Sequence, residues 1–124
     1  MKTLFVLITL MFTALGFGQE AVFFAPEKLH KFQKTNEGPV LEHYFVISNK
    51  GTTPLIISEA KVSCPCTKVM FPDTLAPGAT DSIKVTFETE GKYYQQDRKI
   101  ILFTNTKKRV EELRFKVFVK PREE

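Results

Sequence analysis

Apolar and polar residues alternate along much of this chain. The clearest case is 83–88, where three apolar residues alternate with three polar ones, and 41–48 repeats the pattern. A period of two places one set of side chains on a buried face and the other in solvent, as in a half-buried β-strand. Clusters of Gly, Pro, Asn and Asp at 36–39, 49–51 and 75–78 separate these stretches and are typical of turns.

The patterned stretches predict seven to eight short strands at a spacing of about ten residues, which is typical of a β-sandwich. No stretch indicates a helix. The apolar side chains of two such sheets would face each other across a gap of about 10 Å. The predicted core residues are Phe32, Phe45, Ile47, Ile56, Val85, Phe87, Ile101, Phe103, Phe115 and Val117.

The N-terminal residues have the pattern of a secretory signal peptide. Lys2 precedes an apolar run at 4–15 that only two threonines interrupt, and Gly16 and Gly18 follow it. The run is shorter than the roughly 20 residues of a membrane-spanning helix. We therefore predict a signal peptide at 1–18, cleaved before Gln19, and a single exported domain at 19–124 in the periplasm or outside the cell, with no membrane span after cleavage.

Charge and motifs exclude several functions. The formal net charge of the 124 residues is +4, spread in small groups, whereas a nucleic-acid binder usually has a dense basic stripe with interleaved aromatic residues. The sequence contains no Gly-x-Ser-x-Gly, His-Glu-x-x-His or phosphate-binding glycine loop. We therefore predict no nucleic-acid partner, no catalytic residues, no cofactor and no enzymatic activity.

The two cysteines, Cys64 and Cys66, lie on either side of Pro65. As a disulfide they would close a very small ring, which stabilises a fold by only about 1.6 kcal/mol in the chain-entropy estimate. As a redox pair they would differ from the usual Cys-x-x-Cys at a helix N-terminus. Unpaired or intermolecular cysteines are a further alternative.

Metal binding is the remaining interpretation of the cysteine pair. Two thiolates and the thioether of Met70, on the same face of a regular strand, would suit Cu(I). The chain's two histidines, His30 and His43, are not close to the cysteines in sequence, and we interpret each as structural, with His43 at the rim of the core. We favour a local disulfide clip between Cys64 and Cys66 and predict no metal site.

One stretch is a candidate binding edge. Val22, Phe23 and Phe24 are uncharged and favour strands. A free strand edge of this kind can pair with an extended segment of another protein. An ordinary first strand of the sandwich is the alternative.

Several motifs together resemble a known family. They are Leu29-His30-Lys31-Phe32, the stretch 43–51, Pro54-Leu55-Ile56-Ile57, Ser63-Cys64-Pro65-Cys66-Thr67 and Leu75-Ala76-Pro77-Gly78. In this order they resemble the bacterial domain of unknown function 1573. The family pattern is Cys-Gly-Cys-Thr, and here Pro65 replaces the glycine, so a positive φ is not available at that residue.

The resemblance implies an all-β, immunoglobulin-like β-sandwich of seven to eight antiparallel strands in an exported bacterial protein. It implies no established activity. Our leading hypothesis is an exported, non-catalytic binding or scaffold module of the bacterial cell envelope with a protein partner. The alternative is a thiol-disulfide or copper-binding protein centred on Cys64 and Cys66.

These expectations predict the mass of the protein isolated without reductant or chelator. We expect a chain that begins at Gln19, carries no metal and is two hydrogens lighter than the reduced form. Native mass spectrometry measures all three properties. An added copper or zinc mass that disappears in the Cys64→Ser/Cys66→Ser variant would instead support the metal hypothesis.

Overall fold

The computed structural model describes residues 19–122, so the predicted signal peptide and the last two residues lie outside it. Within that range the chain forms ten strands and no helix, and thus no helix that is long and apolar enough to cross a membrane. In chain order the strands are β1 Phe23–Phe24, β2 Leu29–Lys31, β3 Thr35–Asn36, β4 Val40–Asn49, β5 Leu55–Val62, β6 Thr67–Met70, β7 Thr74–Leu75, β8 Thr80–Glu88, β9 Tyr94–Thr104 and β10 Val110–Lys120.

The strands form two sheets. One has the order β1-β4-β8-β6, and the other has the order β2-β10-β9-β5-β7, with β3 also paired to β10. The predicted all-β sandwich is confirmed. The count is ten strands rather than seven to eight, because the N-terminal region divides into three short strands and Thr74–Leu75 adds another. The pairing is not wholly antiparallel, since β2 and β3 run parallel to β10.

The apolar faces of the two sheets meet in one core. Its largest fully buried side chains are Phe45, Phe87, Phe115, Ile47, Leu55, Ile83, Ile100, Leu102, Leu113, Val85, Val117 and Val119. Phe32 packs against this core and is partly buried. Burial of one such side chain stabilises the fold by about 1.5–3 kcal/mol, so the sandwich rests mainly on these contacts.

Three predicted core residues, Ile56, Ile101 and Phe103, are exposed or only half-buried, and this part of the prediction is wrong. Their neighbours in sequence fill the core instead. The runs 55–57 and 100–103 are apolar throughout, so a period of two does not distinguish the buried face from the exposed one. Pairing with the neighbouring strands decides which residues point inward.

The N-terminal segment crosses from one sheet to the other. β1 pairs with β4, whereas β2 pairs with β10, so the link at 25–28 spans the side of the sandwich. Gly51, in the turn after β4, permits the close approach of the segment that precedes β1. A Cβ atom there would lie 2.0 Å from the Glu20 carbonyl oxygen and 2.7 Å from the Val22 nitrogen. Any side chain at residue 51 would therefore displace the N-terminal segment.

Asn49, the last residue of β4, is fully buried and joins three segments through its side chain. Its Oδ1 accepts hydrogen bonds from the Val22 N–H at 3.2 Å and the Gly51 N–H at 2.9 Å. Its Nδ2 donates to the carbonyl oxygens of Thr53 at 2.8 Å and Leu75 at 3.0 Å. All four hydrogen-bonding positions of the amide are therefore occupied.

We expect Asn49→Ala to lower the free energy of unfolding by more than about 3 kcal/mol, because several inward-facing N–H and carbonyl groups lose their partner. Urea unfolding followed by circular dichroism would show a lower midpoint with an unchanged slope. Asn36→Ala, at an exposed position in β3, is the matched control and should change stability by less than about 0.5 kcal/mol. Equal losses in both variants would contradict the role given to Asn49.

Candidate functional site

The two cysteines lie in the turn that carries the chain from β5 to β6, and therefore from one sheet to the other. Their Cα atoms are 5.1 Å apart, and their sulfur atoms are at bonding distance. The Thr67 N–H donates a hydrogen bond to the Cys64 carbonyl oxygen at 3.1 Å, so a backbone bond also closes the turn. Cys66 is buried and Pro65 is exposed at the tip.

The surroundings of this turn favour a structural clip over a redox or metal site. In the described part of the chain no helix follows Cys66, so the helix N-terminus that lowers the thiol pKa in redox enzymes is missing there. The copper alternative requires Met70 to share a face with Cys66, as it would in a regular strand. This requirement is not met, because Met70 is 67% exposed whereas Cys66 belongs to the core.

In the part of the chain that the structure describes, the first half of β9 has a partner strand on only one side. The strand begins at Tyr94, well before the apolar run at 100–103. β10 pairs with β9 along nearly its whole length, but the pairing with β5 stops at Ile100, opposite Val62. The cysteine turn then takes the chain to the other sheet. Within residues 19–122 no strand pairs with the second side of Tyr94–Lys99, which we call the open edge.

The backbone groups of the open edge alternate between its two sides. The Thr104 N–H donates to the Arg109 carbonyl oxygen at 2.9 Å, which directs the even-numbered residues of β9 toward β10. The N–H and C=O groups of Gln95 and Asp97 therefore point to the open side. Groups of this kind are the hydrogen-bonding template to which an extended peptide can add as a further strand.

Exposed aromatic side chains lie at the start of the open edge. Tyr93 and Tyr94 are 50% and 61% exposed, and Phe118 of β10 is 38% exposed. The ring centroids of Tyr94 and Phe118 are 6.1 Å apart, and the Lys34 Nζ lies 5.3 Å from the Phe118 ring. Aromatic residues are enriched in protein interfaces. This group would offer apolar contact area to a chain bound at the edge.

An ion pair lies beside the open edge. The Arg114 guanidinium donates to both carboxylate oxygens of Asp97, with Nε and Oδ1 2.7 Å apart. These hydrogen bonds hold the pKa of Asp97 below its ordinary value and raise the pKa of Arg114. Because each charge is matched by the other, the pair adds little net charge to the edge.

Val22, Phe23 and Phe24, the binding edge that the sequence predicts, lie at the end of the four-stranded sheet. β1 spans only two of them and pairs with Ser48 and Asn49. Phe23 is buried, and Val22 and Phe24 are exposed. Very short edge strands are poor templates for strand addition. The open edge of β9 is therefore the better-formed candidate of the two.

A second cluster lies where the N-terminal segment crosses between the sheets. Oε1 of Glu27 is 2.6 Å from Nε2 of His43 and 3.5 Å from Nδ1 of His30. The two imidazole rings stack with their centroids 3.5 Å apart. From the sequence each histidine is interpreted separately, and no role is predicted for Glu27. The only local signal was a glutamate three residues before a histidine.

Residues 24–119 match the family described as "Protein of unknown function (DUF1573)". The chain belongs to this family. The resemblance noted from the sequence motifs is thereby confirmed. The matched range includes nearly all the residues that the structure describes. No curated protein sequence matches the chain.

Solved structures show the same fold at low sequence identity. A protein of unknown function from Porphyromonas gingivalis W83 is 15% identical with a TM-score of 0.73, covering 86% of this chain and 50% of that one. PapD-like domain 7 of human CEP192 is 16% identical with a TM-score of 0.56, covering 86% and 88%. The E. coli chaperone DraB is 14% identical with a TM-score of 0.57, covering 82% and 56%.

These likenesses show only the fold of the DUF1573 chain, an immunoglobulin-like β-sandwich. The chain spans half the length of the Porphyromonas gingivalis protein, and smaller shares of the Vibrio cholerae proteases VesB and VesC. It is therefore similar to one module of each of these larger chains.

We expect reduction of the cysteine pair to lower the free energy of unfolding by about 1.6 kcal/mol, because a bridge across so short a loop removes little chain entropy. Urea unfolding with and without dithiothreitol measures the difference. The Cys64→Ser/Cys66→Ser variant is the control and should not respond to the reductant. A loss above about 3 kcal/mol on reduction would show that the clip is a main support of the fold.

Proposed function

We propose that this chain is an exported, non-catalytic binding module of the bacterial cell envelope that captures an extended segment of a partner protein at the open edge. The observation that carries the proposal is the stretch Tyr94–Lys99 of β9, which among residues 19–122 has a paired strand on one side only. Main-chain hydrogen bonds to such an edge supply affinity, and the neighbouring side chains supply specificity.

Three properties of the open edge support the addition of a partner strand at this place. The stretch is longer than β1 or β7, which are also at sheet ends. Gln95 and Asp97 present backbone groups to its open side. The exposed rings of Tyr93, Tyr94 and Phe118 lie at one end of the stretch, where an apolar side chain of the partner could rest.

Support for export comes from the N-terminal pattern, in which Lys2 precedes an apolar run and small residues. Support for a non-catalytic role comes from the lack of catalytic motifs in the sequence. Asp97, the one carboxylate within the open edge, is paired with Arg114.

The alternative, a thiol or copper protein centred on Cys64 and Cys66, has less support. Cys66 is buried in the core, and the thioether of Met70 lies on the outer face. In the proposed module the cysteine turn has a structural role, because it directs the chain away from β9 after Val62 and leaves the edge open.

The proposal predicts the positions at which a bound peptide protects the backbone. We would select extended peptides against the chain from a random display library and measure amide hydrogen exchange by NMR with and without the best binder. We expect the amides of Gln95 and Asp97 to gain protection. Peptides that protect only other surfaces, or a chain that forms a dimer through this edge in native mass spectrometry, would contradict the proposal.

A matched pair of substitutions tests the backbone contact directly. Asp97→Pro removes an edge N–H group, whereas Asp97→Ala keeps it, and both lose the ion pair with Arg114. We expect Asp97→Pro to weaken peptide binding at least about tenfold, as loss of 1.4 kcal/mol does, and Asp97→Ala to bind within about twofold of the original chain. Equal affinities for two folded variants would overturn strand addition at this edge.

A further inference from the structure

Glu27, His30 and His43 offer three ligand atoms that all lie within 4.8 Å of one another. They belong to three different places: the link after β1, the strand β2 and the strand β4. The histidines are the only two in the chain. Their side chains are 25% and 19% exposed and that of Glu27 is 48% exposed, so an ion in solution can reach the cluster.

The donor set selects a class of metal ion. Two imidazole nitrogens and one carboxylate oxygen suit Zn²⁺ and similar divalent transition-metal ions. Three protein ligands leave a fourth tetrahedral position for water or another group. Ca²⁺ and Mg²⁺ prefer sites with oxygen ligands only, so these ions fit the cluster poorly.

The spacing of the donor atoms is close to that of a metal site. Tetrahedral zinc at its usual bond lengths places neighbouring ligand atoms about 3.3 Å apart. The 3.5 Å from Oε1 of Glu27 to Nδ1 of His30 already fits this spacing. The 2.6 Å from the same oxygen to Nε2 of His43 must lengthen. The rings stack within 11° of parallel, so one must tilt for both nitrogens to point at one ion. His30 is the more exposed of the two imidazoles, 25% against 19%, and its ring is the one that we expect to tilt.

Aromatic side chains close the inner side of the cluster. Phe32 meets the His30 ring edge-on at 4.6 Å between centroids, and Phe45 meets the His43 ring in the same way at 4.7 Å. An apolar wall of this kind limits water access from behind, and such shells tune metal sites.

From this donor set and geometry we propose that Glu27, His30 and His43 bind one Zn²⁺-type ion, and this proposal replaces the expectation from the sequence that the chain carries no metal. The ion joins β2 of one sheet, β4 of the other and the link that connects them. Binding therefore stabilises the N-terminal crossover of the sandwich. This site is separate from the open edge, so it can be tested independently. Neither outcome of that test supports or contradicts the proposed peptide binding.

The test is isothermal titration of the full untagged chain with ZnCl₂, together with its thermal midpoint with and without the ion. We expect one equivalent of Zn²⁺ to bind and to raise the midpoint, and MgCl₂ to do neither. Because loss of a mere outer-shell contact costs about 10–100-fold in metal affinity, His30→Gln and His43→Gln should each weaken Zn²⁺ binding at least about 100-fold. Glu27→Gln should also weaken it.

Two control variants separate this site from the rest of the surface. Glu42→Gln removes a carboxylate next to His43 in sequence that pairs with Lys84 instead, and should bind Zn²⁺ as the original chain does. The Cys64→Ser/Cys66→Ser variant should also bind it normally. Glutamine keeps a polar side chain of similar length, and circular dichroism of the metal-free variants shows whether each is folded.

Three results would overturn the proposal. The first is that the original chain binds no Zn²⁺ in the titration, and the second is that all three site variants still bind it. The third result is a loss of Zn²⁺ binding in the cysteine variant. If His43→Gln does not fold, Glu27→Gln and His30→Gln decide the question, since both side chains lie nearer the surface.

Discussion

The buried side-chain amide of Asn49 is the interaction on which the rest of the arrangement depends. It holds the N-terminal segment at Val22, the turn after β4 at Gly51 and Thr53, and β7 at Leu75 through four hydrogen bonds. A buried polar group is stable only when such partners are present. Because β1 is anchored here, the chain that follows must cross the side of the sandwich, and this crossing brings the link after β1 against β4.

On the other side of the sandwich, the cysteine turn is the place where the chain changes sheets. There β5 ends opposite Ile100, and the turn takes the chain to β6 in the other sheet. β9 continues beyond this point with β10 as its only partner in the described range. A tight covalent loop adds little to stability, but it determines where β5 stops. The open edge is thus a consequence of the path of the chain and not of any special composition of β9.

The fold was largely predictable from the sequence, whereas the candidate site was not. Alternation identified β4 and β8, and turn residues separated the strands, because both signals are local. The continuous apolar runs around Ile56 and Ile101 carried no preference for either face. The polar stretch before Lys99 shows no alternation of apolar residues, so the first half of β9 was missed. The position of Cys64 and Cys66 in a tight turn was predictable from their spacing.

By itself the sequence determined the strand class, the turns, the tight cysteine loop and the family. It also predicted export. Each of these depends on residues that are close together along the chain. Only the tertiary structure decided which side of each apolar run faces the core, where β9 lacks a neighbour, and that Glu27 and His30 meet His43. These depend on strand register and on the path between sheets, which are set by hydrogen bonds and packing between residues far apart in sequence.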